Sequence, residues 1–232
     1  MLTFVIPTRY EAEDLLASLK DKIRKDIDSV ECYRGKLKDS DVHIVICGMG
    51  PKLAKESVTK AFKVEAPHLV IMTGFAGALS TQLQRGDILV AATYSSNDLI
   101  NYIRLVPGFD IARLHTTDQV VSTVAAKKKL AEETGCQMVD MEMSAVNSVA
   151  LTYGSEVMGI RVISDLASEH VPTDILSKGY DKVTGKMTPI RMAFFLLFNP
   201  LRINELKTFL EPLPDIRKKL TTFLVTVAEE FE

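Results

Sequence analysis

Short apolar runs set between helical patterns constrain this chain more than any other feature. Leu2 to Ile6, Val42 to Cys47, Leu69 to Thr73, Asp87 to Thr93 and Val157 to Ile163 are rich in Val, Ile and Leu, and four of the five close on Pro, Gly or a Ser-Asp pair. A strand with little polar alternation buries both faces, as strands do in a parallel sheet covered by helices. Between the runs, apolar residues return at helical spacing. Leu15, Leu16, Leu19 and Ile23 mark a helix over Glu11 to Lys25, and Ala54, Val58, Ala61 and Phe62 mark another behind Pro51, a residue suited to a first helical turn. Val120 to Thr134, closing on Gly135, and Ser144 to Tyr153 read as two more. The expected fold is α/β, a three-layer α/β/α arrangement with a mixed, mainly parallel central sheet.

Three stretches are read differently. Tyr94 to Thr117 is expected to hold strand and loop, with alternation around Tyr102 to Val106, and Lys127 to Lys129 reads as a solvated face. From Thr188 the chain changes character, with Phe194 to Phe198, Leu201 to Leu210 and Leu220 to Val227 separated by Pro200, Pro212 and Pro214, which predicts three short helices. The expectation is one domain over 1–232 with a helical extension from about 188.

Composition narrows the partners. A net charge of -2 supplies no basic field for a phosphate backbone, so a small molecule is expected and a nucleic acid is not. The three cysteines, Cys32, Cys47 and Cys136, lie far apart without a Cys-x-x-Cys pair, which fits a reduced, cytoplasmic interior. His43, His68, His115 and His170 show no ligand spacing, so no metal or cofactor is expected. Met1 to Pro7 reads as a strand rather than a signal peptide, and the apolar run from Met192 to Phe198 is far short of the ~20 residues that span a bilayer.

In such sheets ligands bind beyond the carboxyl ends of the strands. Those ends carry Pro7 to Glu13, Gly48-Met49-Gly50, Gly74-Phe75-Ala76-Gly77 and Ser164-Asp165, while Asp140 and Glu142 stand at the entry to a helix. Each has a plain reading: a glycine after a strand is a turn, and an acid in a first helical turn is a cap favoured by the helix dipole. Their joint occurrence is what points to a site.

VICGMG, VIMTGFAGAL followed by GDILVA, TTDQVV, VDMEMSAV and IRVISDLA, in that order, resemble the nucleoside phosphorylase and nucleosidase superfamily over about two thirds of the chain. The resemblance implies cleavage of a nucleoside's N-glycosidic bond. It matches Asp165 to the Asp that protonates the leaving purine, with Ser164 orienting it, and Glu142 to the Glu that grips the ribose hydroxyls, with Met141 under the sugar. Gly74, Phe75, Ala76 and Gly77 match the loop that offers backbone to ribose and nucleophile. These roles suit the chemistry, because cleavage develops positive charge on the sugar and negative charge on the base. An Asp acting as the acid needs a raised pKa or a proton shared with the base.

The nucleophile separates hydrolase from phosphorylase. The resemblance makes Glu11 the base that activates water, with Glu13 as the alternative. A phosphorylase would use Arg9 for phosphate, but its second arginine position reads Met72-Thr73, leaving Arg9 and backbone donors at Gly48, Met49 and Gly50 to hold a dianion. Hydrolysis is therefore favoured, and phosphorolysis stays open. Val120 or Val121 stands where the resemblance leads one to expect a purine-stacking aromatic. A short middle region and the Phe/Leu/Pro tail are similar to the hopanoid-associated branch, whose members are phosphorylases of an adenosylated lipid, so Phe194 to Phe198 reads either as a lid or channel or as a buried helix. Futalosine-type hydrolysis and a binding module without turnover also remain open. The family implies at least a dimer.

Overall fold

The computed structural model describes residues 1–176 and 202–231. The Phe194 to Phe198 run lies outside the described residues. In chain order the elements are β1 (Leu2–Ile6), α1 (Arg9–Ser18), β2 (Lys20–Arg24), β3 (Cys32–Leu37), β4 (Ser40–Ile46), α2 (Pro51–Val64), β5 (Leu69–Ala78), β6 (Ile88–Ala91), α3 (Asn97–Tyr102), β7 (Asp110–Ala112), β8 (Leu114–Thr116), α4 (Val124–Thr134), β9 (Met138–Asp140), α5 (Met143–Thr152), β10 (Glu156–Asp165), α6 (Thr173–Leu176), α7 (Arg202–Leu210) and α8 (Leu213–Glu230).

The strands form one mixed sheet ordered β2-β3-β4-β1-β5-β10-β6-β7, with β9 branching from β5 and β8 pairing with β9. Its centre, β4-β1-β5-β10, is parallel. Alternate residues of the central strands feed two cores. Leu2, Phe4, Ile6, Leu69 and Ile71 pack with α1, α3 and α8 on one face. Val5, Val45, Val70 and Met72 pack with α2 and α5 on the other. Burial on both faces is why the runs lack polar alternation, and the three-layer expectation agrees with this arrangement.

Four local expectations are corrected. The helix predicted over Glu11 to Lys25 ends at Ser18, because Leu19 is extended and Lys20–Arg24 pairs with β3 at the sheet edge, leaving Ile23 64% exposed. Gly35 makes that edge pairing close: a Cβ there would lie 2.7 Å from the Lys20 carbonyl oxygen. Tyr94 to Thr117 holds α3, capped by Ser96, and then the short strands β7 and β8. Helix α4 starts at Val124 behind a Thr123 cap, so Val120 belongs to the preceding loop. At the C-terminus α8 is one helix of 18 residues, placing Leu213, Ile216, Leu220, Phe223, Leu224 and Val227 on the sheet at helical spacing.

Candidate active site at the strand ends

Strand β1 ends at Pro7, and Thr8 caps α1 by accepting a hydrogen bond from Glu11 N at 3.2 Å. Thr8-x-x-Glu11 is a capping-box spacing, and Thr8 Oγ1 also donates to Glu11 Oε2 at 2.5 Å. Capping explains only one carboxylate oxygen. Glu11 Oε1 instead accepts from Phe75 N, 2.8 Å away on β5. That contact requires Gly74, whose φ of +143° favours glycine and whose absent Cβ would stand 2.7 Å from Oε1. Burial pushes the Glu11 carboxyl up, against the hydrogen bonds from Phe75 N and Thr8 and the charge of Arg161.

The two acids at the entry to α5 divide the roles the sequence left open. Asp140 is the cap: Oδ2 accepts from Met143 N at 2.9 Å and Oδ1 from Thr116 Oγ1 at 2.7 Å. Glu142 makes no side-chain cap bond and reaches across to Gly50 N at 2.7 Å, at the end of β4. Its carboxyl is pushed up to about 8, by burial first and the neighbouring Asp140 charge second, with Arg161 and Gly50 N opposing. Met141 lies on the Gly50 side of this turn, with Cε 3.8 Å from where a Gly50 Cβ would be.

Sequence reasoning missed Arg161. Fully buried in β10, it pairs with Asp140 through Nη2, while Nε and Nη1 find no hydrogen-bond partner. Nη1 lies 3.3 Å from the position of a Gly74 Cβ, the point that Glu11 Oε1 also borders. Unused guanidinium donors beside a buried carboxylate are costly unless something polar visits them. A signal was present, since Arg161 is the one charged residue in VMGIRVI, and a charge inside a doubly buried strand needs a partner.

Strand β10 closes the site. A register shift between Ile163 and Asp165 sets Asp165 opposite Gly77, where a Cβ would lie 3.0 Å from Asp165 Oδ2. Ser164 Oγ donates to Asp165 Oδ1 at 2.7 Å. Oδ2 meets Lys127 Nζ at 2.5 Å, and Lys127 is fully buried. The solvated reading of Lys127 to Lys129 therefore holds for Lys128 and Lys129 only, which are 77% and 75% exposed. Nothing in three consecutive lysines distinguishes the first; only the turn of α4 over Asp165 does.

Glu11, Gly74 to Gly77, Glu142, Ser164 and Asp165 thus meet at the carboxyl ends of β1, β4, β5 and β10. Glu13, Arg9, Val120 and Met49 are more exposed than these acids. Glu13 is 63% exposed and pairs with Arg217 at 2.5 Å. Arg9 is 65% exposed and pairs with Glu31 at 3.1 Å. Val120 and Met49 are 43% and 37% exposed. Phe75 is half-buried and meets Tyr10 edge to face. Among the described residues no group of three or more His, Cys, Asp or Glu is placed to hold a metal ion. No described helix is long and apolar enough to cross a membrane.

A mostly parallel sheet between helical layers, with buried acids converging on its strand ends, defines an α/β enzyme. The model of the phosphorylase superfamily matches residues 2–112 and 109–185, and the chain belongs to that superfamily. It is similar to the 5′-methylthioadenosine/S-adenosylhomocysteine nucleosidase of Staphylococcus aureus strain RF122, at 25% identity over 191 residues, 67% of this chain and 84% of the relative. A stretch of 92 residues is 37% identical to the nucleosidase of the same name from Staphylococcus haemolyticus, and spans only 38% of each chain. In fold it resembles the S. pneumoniae nucleosidase solved with a transition-state inhibitor, at a TM-score of 0.77 and 16% identity, covering 100% of this chain and 99% of that one.

Proposed function

We propose that this chain hydrolyses the N-glycosidic bond of an adenine nucleoside with a modified 5′ position and releases the free base. The observation that carries this reading is the setting of Glu11: a half-buried carboxylate held by Phe75 N and Thr8, its pKa raised by desolvation, facing the unused donors of Arg161 across Gly74. A water held there would lose a proton to Glu11 as its oxygen bonds to the sugar carbon, and a base is more effective as its pKa approaches the working pH. The electrons of the broken bond pass to the base, which takes a proton at the Asp165 carboxyl that Ser164 orients. Glu142, partly protonated near neutral pH, both donates to and accepts from the ribose hydroxyls above Met141.

Water suits this setting better than phosphate. Arg161 already neutralises Asp140, Glu11 and Glu142 crowd the same space, and Arg9 is engaged with Glu31 outside it. A dianion placed there would find the one nearby guanidinium already paired with Asp140 and would stand against the acceptor oxygens of Glu11 and Glu142. Phosphorolysis is the second reading because the family includes phosphorylases. The test is release of free base from adenosine, methylthioadenosine, adenosylhomocysteine and futalosine, with and without phosphate. We expect phosphate-independent release from a 5′-substituted nucleoside; dependence on phosphate, or binding without release, would overturn hydrolysis. We also take the working unit to be a cytoplasmic homo-oligomer, a dimer or larger, for which light scattering should report at least twice the chain mass of 25.7 kDa.

A further inference from the structure

Lys127 uses every proton it has. Its ammonium reaches Asp165 Oδ2 at 2.5 Å, Leu166 O at 2.6 Å and Glu169 O at 3.2 Å, three acceptors for three N-H donors, with no exposure to solvent. A neutral amine has only two hydrogens to give, so this arrangement fits an ammonium against an ionised Asp165. The other charges nearby are engaged elsewhere: Glu169 Oε2 accepts from Arg85 Nη2 at 2.7 Å and from Leu166 N at 2.8 Å. An ionised Asp165 has no proton for a departing base. Among the described residues, the acidic hydrogen in contact with its carboxylate, besides the Ser164 hydroxyl on Oδ1, is on Lys127 Nζ.

We propose that Lys127 supplies, through Asp165, the proton that leaves with the base. This inference rests on the proposed glycosidic cleavage. As the bond breaks and its electron pair moves to the base, Asp165 Oδ2 takes a proton from Lys127 Nζ, and the carboxyl, neutral for that moment, gives it to a base nitrogen. Asp165 ends ionised, as it began, and Lys127 ends as a neutral amine whose two remaining hydrogens serve Leu166 O and Glu169 O. Glu11 gives the proton it took from water to solvent, and after release a solvent proton returns to Lys127 by way of Asp165, so the hydrolysis balances. Lys127 does not touch the substrate and acts through Asp165 alone.

The test compares Lys127→Arg and Lys127→Met on two substrates, methylthioadenosine and a nitrophenyl riboside whose leaving group needs no proton. Arginine keeps the charge but cannot give up a proton. We expect both variants to lose roughly 100-fold or more in kcat on methylthioadenosine, with KM little changed, and to keep the riboside rate within about threefold. Lys127→Arg with wild-type kcat on methylthioadenosine would overturn the relay, as would equal losses on both substrates, which mark a structural role. Wild-type protein that releases base from no nucleoside would refute the proposed function itself; active wild type with unaffected Lys127 variants would refute only the relay.

Discussion

Glu11 and Gly74 are fitted to each other: a Cβ on Gly74 would stand 2.7 Å from Glu11 Oε1, and the Gly74 φ of +143° is itself costly for any other residue. Gly74→Ala should therefore push Glu11 off Phe75 N and strain β5 at once. We expect a loss of about 1–3 kcal/mol in stability and at least tenfold in kcat, read by thermal melting and base release. Full activity in that variant would remove Glu11 from its assigned role.

Glu11 and Glu13 separate cleanly by environment. Glu11→Gln should lower kcat by about 100-fold or more, since an amide cannot accept the proton of water. Glu13→Gln should change it less than about twofold, because Glu13 is an exposed partner of Arg217. The reverse pattern would show that the catalytic base lies two residues further along α1.

Asp165→Asn keeps the shape of the side chain and its bond with Ser164 but removes the route for a proton. Base release should fall by about 100-fold or more while adenine still binds, measured by calorimetry on the variant. An unchanged rate would mean that another group protonates the base.

Glu142 links pH to stability. Its folded pKa of about 8 lies above its ordinary 4.5, so the folded protein holds a proton that the unfolded chain releases. The sign follows: stability is intact below about pH 4.5, falls as pH rises between 4.5 and 8, and levels off above 8, at no more than about 1.4 kcal/mol per pH unit. Glu142→Gln should flatten that slope in denaturant titrations from pH 5 to 8. An identical slope would place the proton elsewhere.

The Arg161–Asp140 pair is fully buried, so removing one partner strands the other. Arg161→Met should cost about 3–5 kcal/mol, and adding Asp140→Asn should recover a large part of it. Simple additivity of the two losses would argue against a coupled pair.

The sheet was largely legible because its central strands bury both faces, and that demand is written locally as continuous Val, Ile and Leu. The edge strand β2 was not, since it is held by pairing with β3 rather than by a core, and its residues Lys20 to Arg24 are all exposed. The family motifs carried Asp165, Glu142 and Glu11, and Arg161 stood out in principle as a charge inside an apolar strand.

What the sequence by itself determined is therefore the layering and the acids at the strand ends, for burial and turn chemistry act over a few residues. Tertiary structure alone decided what surrounds each acid. Glu11 rather than Glu13 turns inward because Gly74 leaves room 63 residues away, and Lys127 rather than Lys128 meets Asp165 because that position of α4 faces the end of β10. A pKa or a proton path depends on charges and desolvation at a few ångströms, and those distances exist only once distant segments of chain are packed together.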